Sequence, residues 1–530
     1  MNAQSFVAGT MILAISNLLV KILGSIFRIP LGNLIGSDGL GYYQTAYPLF
    51  VFVLAISTSG MPTAISKMVA ERTKLGKYKT AHKIFKLSLT MLSIMGVISF
   101  CLFFFGADML SKMLKDKNAY HSIRALSLAL LIVPSVNAFK GYFQGRSNML
   151  PTSLSQISEQ FVRVFSGLFL AYILLPKGKP MSAAGAAFGA SLGGFVAFLV
   201  IVLIYFRNKK QIKKEIKNCD EIHEEHSIDL IKEMLSIAIP IIIGSLVIPF
   251  MNTIDSAMVK ERLMNGGFSY SDANSLFGQY SGMAATIINL PQAITVSIAM
   301  SIVPAVSQSF VVKDMKKLRH NIVLGTRLSN LIAMPCFAGV MILSTPIMKL
   351  LYPNEPESAG AILFTMSFTI VLIALLQTFT AILQAIGKPM IPVINLMIAS
   401  VFKLVLTYLL TSMPNINVKG AAIATAVAYT IAMILDYIWI KKLLKVNFKL
   451  KNTFLKPFIM SAIMGLSVYL SYTLLSFVIP SPKINTLLAI IVGGAVYLFE
   501  LIFLGGISKK ELMSMPGGKK LAKKIYKDNE

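Results

Sequence analysis

The chain has 530 residues, 55% of them hydrophobic and only 14% charged, with a mean hydropathy of +0.70 and a formal net charge of +27. That balance excludes an ordinary soluble domain and leaves no room for a large one beside the apolar segments. The basic excess sits mainly in short loops between apolar stretches, where it sets membrane orientation rather than binding nucleic acid.

In chain order, apolar windows of about 20 residues, enough to cross a hydrocarbon layer of roughly 30 Å, recur from one end to the other. The first runs from Ser5 to Arg28 with neither a basic leader nor a small-residue cleavage site, and reads as a retained helix. Spans are expected over 5–29, 42–68, 82–106, 120–142, 153–175, 183–206, 230–258, 276–309, 320–345, 359–385, 390–412, 417–440, 453–478 and 484–506. The fold class is an all-α polytopic membrane protein of about fourteen transmembrane helices. GSDGLG at Gly36–Gly41 reads as a turn.

Lys and Arg fall on alternate loops with a roughly threefold bias, which places both termini in the cytoplasm of a multi-pass cell-membrane protein. The basic side carries the segment from Arg72 to Lys86, the Arg207–Lys217 run, Lys313 to Arg319, Lys441 to Lys456 and the tail Lys519–Lys527. The long hydrophilic stretch before that tail divides the chain. Residues 1–207 form an N-terminal six-helix half, 208–229 a cytoplasmic linker and 230–445 a C-terminal six-helix half. Two additional helices follow over 446–508, then a basic cytoplasmic tail over 509–530. His223 and His226 in the linker lack the four-residue spacing of a zinc motif. Cys101, Cys219 and Cys336 are too dispersed for a disulfide framework or a metal site and read as small core residues.

The halves carry a repeat. YFQGRSNMLP, ending at Pro151, matches ILQAIGKPMIP, ending at Pro392, through Gln144 and Gln384. AAGAAFGASLGG around Gly185 matches VKGAAIATAVAY around Gly420, and GYYQTAYPLF through Lys86 echoes GQYSGMAATI through Arg319. Even-numbered units make the repeats parallel, related by an axis along the membrane normal with a central cavity between them.

Charges inside spans cost at least about 2.5 kcal/mol each on insertion scales, so each needs a partner, a wet cavity or a route to the interface. Lys21 lies roughly 24 Å along the first helix from Ser5 at about 1.5 Å per residue, and Arg28 follows two turns later on the same face. They read as cavity cations, with structural pairing as the other reading. Glu159 and Arg163 are four apart and can pair on one face. Lys403 falls at the repeat position of Arg163 with no acidic neighbour one turn before it, so the two suggest an anion site. Asp255 with Asn252 offers oxygen ligands for a sodium ion or a proton, or Asp255 pairs with Arg28. Arg327 is mid-span, whereas Lys67, Asp436 and Glu500 lie nearer span ends and can reach the interface. Pro134, Pro240, Pro249, Pro291 and Pro304 free backbone groups for a cavity or a hinge. The absence of a GxxxxGK[ST] loop excludes that route to ATP hydrolysis, and the short outer loops argue for a transporter rather than an enzyme.

KILGSIFRIPLGNLIGSDGLGYYQTAYPLF, from Lys21 to Phe50, followed by STSGMPTAISKMVAE, resembles the polysaccharide-exporter and MurJ group of the multidrug/oligosaccharidyl-lipid/polysaccharide (MOP) superfamily. More narrowly it is similar to the Gram-positive branch with stage V sporulation protein B and the MurJ-type lipid II flippases. The resemblance implies alternating access for a lipid-linked anionic glycan, lipid II first, in growth or spore-cortex formation. Another undecaprenyl-linked unit, a cation-coupled drug exporter and a non-transporting scaffold are the rivals. It implies a cationic cavity whose basic positions fall on Lys21 and Arg28, no cofactor, and coupling to Na+, H+ or membrane potential. The expected partners are the bilayer and cell-wall synthases, with no nucleic acid. The chain departs from the Gram-negative pattern, having no arginine in the middle of its second span or in its eighth; Arg163 and Lys403 are expected to compensate. The family's sodium site maps loosely onto Asp255.

Overall fold

The computed structural model describes residues 3–219, 221 and 225–503, with side chains described from Ile12 onward except Ala14. His223 and the expected tail 509–530 lie outside the described residues. Every regular element among those described is helical. The first nine are α1 (Ala3–Thr58), α2 (Gly60–Lys74), α3 (Tyr78–Phe105), α4 (Ala107–Met113), α5 (Tyr120–Gly145), α6 (Leu150–Leu174), α7 (Lys179–Lys217), α8 (Ser227–Asn265) and α9 (Tyr270–Gly278). Then come α10 (Ala285–Val311), α11 (Met315–Ile342), α12 (Ser344–Leu351), α13 (Pro356–Ser367), α14 (Thr369–Ala385), α15 (Met390–Leu410), α16 (Lys419–Leu444), α17 (Lys456–Val478) and α18 (Pro482–Phe503).

Thirteen described stretches are long and apolar enough to cross a membrane. The first, Ile15–Lys74, has 60 residues and takes in 15–29 of the first expected span and all of the second. Its helix is interrupted at Gly36, where φ is 72°. A side chain is strained in that left-handed region, which is why glycine opens the GSDGLG segment.

Packing groups the helices into two units, whereas the halves above group them by repeat. Among the described residues, one unit runs from 3 to 286 with 400–424, the other over 287–399 with 425–503. In the first, Met68, Ile84, Phe85, Phe139, Tyr142 and Leu230 anchor an apolar core. In the second, Ile322, Phe379, Ile382, Ile440 and Leu444 do so. Large apolar side chains that remain exposed, such as Phe161, Phe165 and Phe169 on one stripe of α6, suit contact with lipid.

The repeat has a backbone counterpart. After α5, Ser147 (φ 58°) donates its N–H to the Gln144 carbonyl at 2.9 Å and Asn148 to Phe143 at 2.9 Å. After α14, Gly387 (φ 76°) donates to Gln384 at 3.0 Å and Lys388 to Leu383 at 2.9 Å. These are the same helix-ending turn, in which a left-handed residue satisfies the last free carbonyls. Arg163 and Lys403 each follow that turn in the same register.

α7 positions the next helix over. Gly185, Gly189 and Gly193 recur every four residues, one face of a helix, and a Cβ on each would meet the backbone of α6. At Gly189 it would lie 2.7 Å from the Arg163 carbonyl oxygen, and at Gly193 2.5 Å from that of Glu159. The small stripe lets the two backbones touch at the turn that carries the charged side chains.

Candidate functional site

With its backbone pressed against α7, α6 directs Arg163 toward α1. The guanidinium lies 3.4 Å from the Tyr43 hydroxyl and 5.0 Å from the centre of the Tyr47 ring. Tyr43 and Tyr47 stack on one another at 5.3 Å, one helical turn apart. Arg28 approaches the same Tyr47 ring at 5.9 Å. Two cations therefore approach one aromatic ring, whose π-electron density attracts positive charge. The phenols orient Arg163 without neutralising it, and among the described residues no carboxylate lies within ion-pair range of its guanidinium.

Glu159 is not the partner of Arg163. Its carboxylate lies 3.4 Å from the Lys140 ammonium, which is buried on α5. The i, i+4 spacing allowed the other pairing, but Arg163 turns to the tyrosines while Lys140 reaches across from a neighbouring helix. Lys140 falls at the end of the fourth expected span, where depth alone does not mark it as an intramembrane charge.

Lys403 is not set up like Arg163 despite their shared register. Its ammonium lies 2.6 Å from Asp255 Oδ2, with side chains only 3% and 8% exposed. In this packing each neutralises the other, and Asp255 pairs with Lys403 rather than with Arg28. Asn252 is exposed whereas Asp255 is buried, so the two are not brought together as ligands. Tyr280, in a π-helical turn over Gln279–Ala284, adjoins the Asp255 carboxyl. Lys21 is exposed and Arg28 half-buried. No group of three or more His, Cys, Asp or Glu able to hold a metal occurs among the described residues. Cys101 is exposed and Cys336 half-buried, so the expected burial of the cysteines does not hold for Cys101.

At the end of the first unit that carries Gly36, a fully buried pair joins α8 to the segment before α5. Lys260 Nζ lies 2.5 Å from Asp116 Oδ2, both side chains 0% exposed, and donates to Thr45 Oγ1 at 2.6 Å. Tyr270 donates to Asp116 Oδ1 at 2.5 Å. Both charges lie outside the expected spans, so span depth does not single them out.

At the opposite end Arg72 is clamped by Glu225 and Glu233 at 2.9 and 2.6 Å, and Glu221 accepts from the Thr80 hydroxyl. Hydrogen bonding from Arg72, with Lys77 adding to it, holds the Glu225 carboxyl below the usual glutamate range.

The chain matches the family described as polysaccharide biosynthesis protein over residues 6–310 and MatE over residues 281–409. It is 31% identical to the uncharacterised membrane protein YabM of Bacillus subtilis (strain 168), covering 97% of this chain and 96% of that protein. It is 28% identical to the lipid II flippase MurJ of the same organism and 27% identical to its stage V sporulation protein B, each covering 97% of this chain and 98% of the relative. Among solved structures, MurJ in an inward closed conformation shares the fold with a TM-score of 0.63 at 17% identity, covering 92% of this chain and 97% of that one. An inward-facing MATE multidrug transporter of the MOP superfamily does so with a TM-score of 0.67 at 16% identity, covering 82% and 98%.

Proposed function

The chain belongs to the polysaccharide biosynthesis protein family and is a multi-pass membrane transporter of the MOP superfamily, and from that premise we propose that it is a lipid II flippase. It carries the undecaprenyl-pyrophosphate-linked peptidoglycan precursor from the inner to the outer leaflet by alternating access, with both termini in the cytoplasm. One observation carries this reading: Arg163 is held by Tyr43 and Tyr47 beside Arg28 with no carboxylate to consume its charge. A guanidinium presents its donors in a planar fork that matches phosphate oxygens, so an oriented arginine pair suits a diphosphate. Lys21 on α1 and Lys140 on α5 add positive charge, with Glu159 on α6 offsetting part of it. Full-length similarity to a named lipid II flippase supports the choice of cargo.

An inside-negative membrane favours outward movement of an anion by about 2.3 kcal/mol per charge per 100 mV. Coupling to that potential, or to H+ or Na+, supplies the drive. Another lipid-linked polysaccharide unit is the second reading, favoured by the breadth of the matched family. A cation-coupled drug exporter ranks below both, because the Arg28 and Arg163 pair would repel a cationic drug. Cell-wall synthases, which consume lipid II, are the proposed protein partners.

The test is lipid II movement in vesicles containing the purified full chain or its Arg163→Lys or Arg163→Ala variant. Charge-assisted hydrogen bonds contribute about 1.5–3 kcal/mol, so Arg163→Ala should slow movement by about tenfold or more. Arg163→Lys keeps the charge without the fork and should fall between. Equal rates for all three would remove Arg163 from the cargo path.

A further inference from the structure

We propose that Asp436 is a proton-carrying acid: with Asn395 and Thr380 it forms a buried site in the second unit that holds one proton while α14, α15 and α16 are packed. The proton passes to water when those helices part and is regained when they close. Its assignment to transport rests on the flippase reading above; its existence does not.

Asp436 is 0% exposed. Asn395 Nδ2 donates to Oδ1 at 2.7 Å from α15, and the Thr380 hydroxyl lies 3.0 Å from Oδ2 on α14. Both contacts are neutral, and no ion pair to Asp436 occurs among the described residues. The nearby charges are engaged elsewhere or too far away. α14 has none. Lys403 on α15 lies two turns beyond Asn395, about 12 Å along the axis at about 1.5 Å per residue, and is committed to Asp255. On α16, Lys441 and Lys442 are exposed at the helix end, and Lys419 stands at the opposite end. Tyr437 packs instead on Phe379 and Phe448. On α11, which packs against α14, Lys316, Lys317 and His320 are exposed, Arg319 donates to the Leu444 carbonyl, and Arg327 has partners of its own.

A carboxylate sealed from water without a cation is costly, and the group escapes that cost by taking a proton. Both contacts survive protonation: the Asn395 amide donates to Oδ1, and the Thr380 hydroxyl, which donates to Oδ2 here, can turn to accept the acid O–H. An asparagine would bond comparably at no charge cost, so what the carboxyl adds is a removable proton. Three side chains offer too few free oxygens to replace the hydration shell of a sodium ion, which makes the proton the better occupant.

The test reads protonation directly. Infrared spectra of the purified full chain should contain a carboxylic-acid C=O band that disappears as pH is raised. The band should be lost in Asp436→Asn and shift to higher frequency in Asn395→Ala, which removes one hydrogen bond and leaves the acid. In vesicles, Asp436→Asn should abolish the response of lipid II movement to an imposed pH gradient. A band unaltered in both variants, or one removed by sodium at constant pH, would overturn the assignment. So would an undiminished gradient response in Asp436→Asn. Absence of lipid II movement in every protein, with the band behaving as expected, would keep the acid and reject only the cargo.

Discussion

Lys260 and Asp116 form an ion pair with 0% exposure on either side, so their energetics belong to a dry interior. Removing one partner leaves a buried uncompensated charge and costs about 3–5 kcal/mol, whereas replacing both with apolar groups is often nearly neutral. Asp116→Ala should therefore lower the thermal unfolding temperature of the purified protein sharply, and Lys260→Met with Asp116→Leu should recover most of that loss. A double variant as unstable as the single one would mean that the pair's hydrogen bonds to Thr45 and Tyr270 matter more than its charge balance. At this scale the sequence marks the charges deep inside spans but neither the partner each takes nor the buried Lys140, Lys260 and Asp116. Lys21, Arg28, Arg163, Lys403 and Asp255 are all legible as intramembrane charges from span depth alone. Their pairing is set by helices distant in sequence: Asp255 meets Lys403 across 148 positions, and Lys260 meets Asp116 across 144.

The contact between α6 and α7 depends on glycine spacing, and the acidic linker depends on charge. Adding a methyl at Gly193 would place it 2.5 Å from the Glu159 carbonyl oxygen and 3.0 Å from Arg163 Cβ. Overpacking of this kind costs about 1–3 kcal/mol, so Gly193→Ala should destabilise the protein and move Arg163 relative to Tyr47. Reduced lipid II movement at equal membrane abundance is the expected readout; unchanged stability and movement would show that α6 yields without consequence. The four-residue spacing is legible in AAGAAFGASLGG, but which helix it faces is not. The linker responds to acid. Because Arg72 depresses the folded-state pKa of Glu225, its stabilisation is full above the ordinary glutamate value of about 4.3 and is lost as pH falls through the lower folded value. Hydrogen exchange at 225–233 should accelerate in that acidic window and stay slow at neutral pH. Arg72→Ala should abolish this pH dependence.

For the whole chain, composition and period determine the helical membrane class, because every lipid-exposed backbone group must be satisfied within its own segment. Boundaries are less legible: the first two expected spans lie within one long helical stretch broken at Gly36. The orientation expected from the basic loops, with both termini cytoplasmic, predicts that a cysteine at Ser147 is shielded from a membrane-impermeant thiol reagent in intact cells while one at Lys177 is labelled. The reverse pattern would invert the topology and, with it, the direction assigned to transport. The most direct test of that transport is the amount of lipid II at the outer leaflet of cells depleted of other flippases and supplied with this chain. Outer-leaflet lipid II should be restored by the parent and not by a stably inserted Arg163→Ala. A parent that inserts normally yet leaves lipid II on the inner leaflet would contradict the proposed transport.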